Sequence, residues 1–367
     1  MASIVDLAGP FLNIRARIKR KKLAALLAQS ADFLNNIQAP GLKPLRGTFI
    51  YHRPPDYPGR DTDAWRKREW VAEFKRLQEL GIDTVIYQGA IGETTTGKWY
   101  IYYPLPEASR RELVSIERRL GKPPVLDPRL DDVVAAAEEC GLELHLGLYN
   151  VGRGWMPLPD QKFIYQVCRE ELVVARDLAE RYGQSPALNG WYISPEIFYL
   201  YHGLLRRLDM RAFLEPICRD LKSATPRARI GISPGTYARK SHHERIKQFW
   251  LETLRDTGVD LIYPQDTVGN QFVEVDQAES VWQLWKEIAE ALQIELWANC
   301  EAFTRINYSS REGCLSAAAF DCFKWQLHAA SPHVSRIITW EALYFFNEPG
   351  AAGGKALLSD YRRFFNL

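Results

Sequence analysis

The sequence predicts an α/β fold, a single (β/α)₈ TIM barrel with a short N-terminal helical extension. Three observations lead there. Eight short β-rich runs alternate with amphipathic helical patterns between residues 47 and 365, the alternation of a parallel sheet. No second domain interrupts them, and a barrel commonly exceeds about 250 residues as one domain. No GxGxxG or GxxxxGKS/T run follows the first strand, so the phosphate loop of an open doubly wound sheet is missing.

The first strand is expected over 47–52. The helix after it, 63–80, has Trp65, Trp70, Phe74 and Leu77 as its apolar stripe and stops at Gly81. Strand two, 82–88, is followed by a long loop to about 127 that holds Trp99, Tyr100, Tyr102 and Tyr103. A loop of that length with that aromatic content reads as functional and as lining an open cleft. Next come a helix at 129–140, strand three at 142–149 and a loop with Trp155. The helix 162–182 leads into strand four, 188–193. The remaining pairs are helix 210–223 with strand 229–233, helix 243–256 with strand 260–263, and helix 275–292 with strand 294–298. Helix 312–330, strand 336–339 and a last helix at 354–365 close the barrel. Residues 1–45 form the extension and 46–367 the barrel domain.

Composition excludes several function classes. The net charge of +2 gives no general attraction to nucleic acid. No run of about 20 apolar residues is present, so no integral membrane segment is expected. The basic stretch 15–22 and the apolar residues after it are too short and too late for a secretory signal, and read as a helix on the barrel or on a membrane surface. A cytoplasmic or peripheral location is expected on that ground. The six cysteines contain no CxxC pair and read as reduced, mostly buried thiols. His242-His243-Glu244 lacks HExxH spacing, so neither metal nor organic cofactor is expected. Asn307-Tyr308-Ser309 fits a glycosylation sequon. The 11 Trp, 17 Tyr and 16 Phe fill a core and also suit stacking on sugar rings.

In a barrel the reactive groups stand at the C-terminal strand ends. Those positions hold His52 and Arg53, Tyr87 and Gln88, Tyr149 and Asn150, Glu196, Ser233, then Tyr263, Gln265 and Asp266, Asn299 and Glu301, and Trp340 and Glu341. Glu196 after strand four and Glu301 after strand seven lie across the barrel mouth. Two carboxyl groups facing one bond are what glycoside hydrolysis requires, one protonating the leaving oxygen and one attacking or activating water. Apolar Pro195 and Ile197 should raise the pKa of Glu196. Arg53 and Tyr263 are expected to keep Glu301 ionised. The remaining strand-end residues are expected to bind the carbohydrate, with Trp340 as a subsite floor and Trp99, Tyr102 and Trp155 as further stacking faces. Asp266 is the alternative second carboxylate.

A barrel with Glu after strands four and seven resembles the large clan of retaining (β/α)₈ glycoside hydrolases. That resemblance implies Glu196 as acid/base and Glu301 as nucleophile. The clan usually carries Asn directly before the acid/base, whereas this chain has Pro195. In detail the segments 190–197 (GWYISPEI), 262–269 (IYPQDTVG) and 296–303 (LWANCEAF) resemble a family known only as a domain of unknown function among the glycosidase-like barrels. The resemblance spans roughly 45–350. A glycosidase acting on an oligo- or polysaccharide is the leading expectation. A non-catalytic carbohydrate-binding barrel and a metal-dependent barrel hydrolase are the alternatives.

Overall fold

The computed structural model describes residues 4–52, 62–93, 98–152, 155, 159–236, 240–307 and 314–367. Arg53 and Ser309, hence one predicted site residue and part of the sequon, lie outside them. Eight parallel strands close into a barrel: β1 (Leu45–Ile50), β2 (Thr84–Tyr87), β3 (Glu143–Gly147), β4 (Leu188–Ile193), β5 (Arg229–Ile232), β6 (Leu261–Ile262), β7 (Glu295–Glu301) and β8 (Arg336–Trp340). Each strand pairs with its neighbours in sequence, and β8 returns to β1 through Leu45↔Ile337 and Thr48↔Thr339. The (β/α)₈ TIM barrel expected from the alternation is therefore the fold.

The helices around it begin with α1 (Ile4–Gln29) and α2 (Ala31–Asn36) of the N-terminal extension. The ring continues with α3 (Lys67–Gln78), α4 (Leu130–Cys140), α5 (Gln161–Tyr182), α6 (Arg211–Ala224), α7 (His243–Leu254), α8 (Ala278–Leu292), α9 (Phe320–Ala330) and α10 (Gly354–Phe365). Local chemistry sets several ends. The Asp160 carboxylate accepts from the Phe163 N–H at 2.8 Å and starts α5. Gly141, at φ 64°, ends α4.

Inside the barrel, Phe49, Ile86, Tyr192, Leu261, Tyr263, Trp297 and Ile338 form one cluster. The Phe49 and Tyr192 rings meet edge to face at 5.3 Å. At the N-terminal strand ends, the Arg229 and Arg336 guanidinium groups lie 5.2 and 4.8 Å from the Trp297 ring and so close the barrel floor.

Two expectations about loops are corrected. The stretch after β2 is built, not open: Ile91–Glu93, Trp99–Ile101, Val125–Leu126 and Tyr149–Asn150 form a four-stranded sheet, with helices at Glu107–Glu112 and Val114–Leu120. Residues 314–319, expected within a helix, are not helical. Phe303–Arg305 and Leu315–Ala317 pair as an antiparallel ribbon, and α9 starts at Phe320.

Candidate active site

At the C-terminal ends of the strands lies a pocket of about 280 Å³. Six of the residues singled out by the sequence line it: Gln88, Glu196, Gln265, Asn299, Glu301 and Trp340. Ser233, also at a strand end, lines it too. Glu196 and Glu301 thus face one space.

Glu196 follows β4. Its carbonyl accepts from Trp155 Nε1 at 2.6 Å, and the Ile197 carbonyl accepts from the Gly235 N–H at 3.0 Å. Phe198 then folds over Gly235, where an added Cβ would stand 1.9 Å from the ring. That glycine is what lets Phe198 line the pocket. Burial pushes the Glu196 carboxyl up to about 7, and a hydrogen bond from the Gln265 side chain partly opposes the shift.

Beyond Pro264 the sixth strand continues as single bonds to β7: the Asn299 N–H donates to the Pro264 carbonyl at 3.0 Å, and the Asp266 N–H to the Asn299 carbonyl at 3.1 Å. This pairing brings Asp266 under Glu301. The Asp266 Oδ1 accepts from the Val268 N–H at 3.1 Å and the Glu301 N–H at 3.3 Å, while its Oδ2 is buried without a partner. The next loop turns sharply, with Thr267 and Gln271 at φ 54° and 62°. It delivers Asn270, whose N–H and side-chain amide each donate to a different Glu301 oxygen. Gly269 permits this closure, since a Cβ there would stand 2.4 Å from the Phe303 carbonyl oxygen. Burial and mutual repulsion raise the pKa of both Asp266 and Glu301, so Glu301 is not held readily ionised, contrary to the expectation from the sequence.

The remaining predicted residues fall elsewhere. His52 is buried, its Nδ1 2.6 Å from the Tyr87 hydroxyl, with burial lowering its pKa to about 3. Tyr87 is fully buried in that bond. Tyr149 bonds to Glu93 and Arg119, and Asn150 pairs with Gly92 in the small sheet. Tyr263 is enclosed in the barrel core, and its hydroxyl has no partner, so it is not a donor to Glu301. Asp266 and Glu341 are fully buried outside the pocket lining. Trp99, Tyr102 and Trp155 are core residues, at 2, 4 and 2% exposure. The indole N–H of Trp99 is used on the Lys122 carbonyl at 2.9 Å. A strand-end residue points toward the barrel interior or toward the helix layer by the two-residue alternation, and the end of each strand sets which of them reach the pocket.

Six lining residues were missed: Phe49, Tyr192, Phe198, Asn270, Phe272 and Phe303. Phe49 and Tyr192 each precede the last residue of their strand by one and point inward, a signal the alternation itself carries. Asn270 lies four residues beyond Asp266 on an irregular loop, with no periodic signal. Among the described residues, no group of three His, Cys, Asp or Glu side chains is placed to hold a metal ion. All six cysteines are free, and Cys300 is buried beside Asp266 with its thiol pKa raised by burial.

A sequence profile described as "Domain of unknown function (DUF4434)" matches residues 45–353. No curated protein matches the chain in sequence. Among solved structures, a Bacteroides thetaiotaomicron VPI-5482 protein provisionally described as an alpha-L-fucosidase superposes with a TM-score of 0.71 at 21% identity, over 90% of this chain and 96% of that one. A GH18 chitinase from Pseudoalteromonas aurantia has a TM-score of 0.50 at 11% identity, covering 81% and 93%. The catalytic domain of the major endoglucanase from Xanthomonas campestris pv. campestris has 0.50 at 13%, covering 88% and 95%. At these identities the likeness is one of fold.

Proposed function

The chain belongs to the DUF4434 family, and from that starting point we propose that it is a retaining glycoside hydrolase using Glu196 and Glu301. One observation carries the reading: Glu196 and Glu301, from opposite sides of the barrel, line one small pocket together with six aromatic residues, Phe49, Tyr192, Phe198, Phe272, Phe303 and Trp340. The fold it shares with structures described as a fucosidase, a chitinase and an endoglucanase agrees with a carbohydrate substrate.

Glu196 is the acid/base. Its pKa, raised to about 7, leaves a useful protonated fraction at neutral pH to give to the departing glycosidic oxygen. Glu301 is the nucleophile. Its carboxylate bonds to the anomeric carbon as the exocyclic C–O bond breaks. Water, losing its proton to Glu196, then cleaves that ester and returns both groups to their first state. Burial and the neighbouring Asp266 carboxyl raise the Glu301 pKa, while the two hydrogen bonds from Asn270, each 2.7 Å, favour its ionised form.

Trp340 supplies a stacking face. It is half-buried, and its indole N–H donates to Gln88 Oε1 at 3.2 Å. With the aromatic loop folded away, the feature that suggested an open cleft is gone. The test is release of sugar from a panel of aryl glycosides and soluble glycans. Release by the wild type and its loss in Glu301→Gln are expected. Binding of glycan without release by the wild type would make the protein a carbohydrate-binding barrel instead.

A further inference from the structure

Among the described side chains of α1, those packed on the barrel lie on one face. On that face Ala16 is buried, Lys19 Nζ donates to the Gln271 carbonyl and pairs with Glu274 at 3.3 Å, and Leu23, Leu26 and Leu27 pack against the core. The opposite face carries Ile14, Ile18 and Ala25, whose spacing aligns them along one line of the helix. Ile14 and Ile18 are 58% and 52% exposed. By helical geometry Arg17 and Lys21 flank this line on one side, and Arg15 and Lys22 on the other. All four are exposed, and none has an ion-pair partner among the described residues. The sequence has no acidic residue between Asp6 and Asp32.

An apolar line between two rows of long cations fits an interfacial helix. The apolar side chains enter the boundary between headgroups and acyl chains, while Lys and Arg stems reach sideways to anionic headgroups. We propose that α1 docks this face, lying in the plane of the surface, on an anionic lipid bilayer, and that the barrel is thereby a peripheral membrane protein. Charge and shape select this occupant. A nucleic acid would use the four cations and leave the two isoleucines in water. A second copy of the chain would set the four cations against their own counterparts. Each cation near an anionic surface adds about 1 kcal/mol, and the buried isoleucines add an apolar contribution that salt does not screen. No described helix is long and apolar enough to cross a membrane, so α1 lies on the surface without spanning it.

The experiment is co-sedimentation of the full chain with vesicles of phosphatidylcholine alone and of phosphatidylcholine mixed equally with phosphatidylglycerol. Binding to the mixed vesicles only is expected. The double change Ile14→Ser with Ile18→Ser should lower the partition coefficient by about tenfold or more, with the melting temperature unchanged. Arg17→Gln with Lys21→Gln should weaken it to a similar degree and flatten its salt dependence. Failure to bind mixed vesicles would overturn the proposal. So would binding that the isoleucine changes leave intact, tighter binding to duplex DNA than to vesicles, or a dimer in light scattering that the isoleucine changes dissociate.

Discussion

Asn270 holds both oxygens of Glu301: its backbone N–H donates to Oε2 and its side-chain amide to Oε1, each at 2.7 Å. Arg305 fixes the amide in turn, donating to Asn270 Oδ1 from Nε at 3.1 Å and from Nη2 at 2.7 Å. The amide oxygen faces the cation, so the amide nitrogen must face the carboxylate. A residue from the loop after β6 thus orients a carboxylate on β7 and opposes the rise of its pKa.

Asn270→Ala removes one of the two bonds to Glu301. A hydrogen bond to a charged group is worth about 1.5–3 kcal/mol, so kcat/KM should fall by about 10- to 100-fold. The ionised form of Glu301 loses support, and the ascending limb of the pH profile should move to higher pH. Steady-state kinetics across pH on the best substrate checks both.

Asp266→Asn acts in the other direction. Burial and mutual repulsion hold the Asp266 and Glu301 pKa values above those of the unfolded chain. A raised acid contributes stability below its unfolded pKa of about 4 and loses it as pH rises through the folded value. Removing the Asp266 charge leaves one such acid and lowers its pKa. The fall in melting temperature between acidic and mildly alkaline pH should therefore shrink relative to wild type. An equal or larger fall would contradict the coupling.

Glu196→Gln removes the acid/base. For poor leaving groups kcat should drop by about 10² to 10⁴. Aryl leaving groups that need no protonation should lose far less in the glycosylation step. In the wild type, activity should decline as pH rises through about 7, where Glu196 gives up its proton. A leaving-group series measured in both proteins separates this role from a structural one.

The eightfold alternation and all eight strand positions were legible because buried parallel strands and amphipathic helices impose opposite periodicities. β4 occupies the expected 188–193. The segment after β2 was not legible, because its strands are two or three residues long and carry no period. Its aromatic residues look alike in sequence whether they stack on sugar or fill a core. The convergence of Glu196 and Glu301 on one pocket was within reach, because strand ends fix their side of the barrel. Asn270 was not, since a loop with two residues at positive φ has no local signature for where it delivers a side chain.

Trp99→Ala should test the corrected placement. Truncating a tryptophan this buried costs about 3–5 kcal/mol of stability. Denaturant titration should show that loss, while KM on the surviving folded protein stays near wild type. A raised KM with unchanged stability would return Trp99 to the substrate site.

The configuration of the first-formed product tests the two-glutamate mechanism most directly. Proton NMR of the anomeric signals, recorded from the first seconds of hydrolysis, should show the configuration of the substrate retained, with the other anomer growing in only by mutarotation. Inverted sugar in the earliest spectra would contradict Glu301 as a nucleophile.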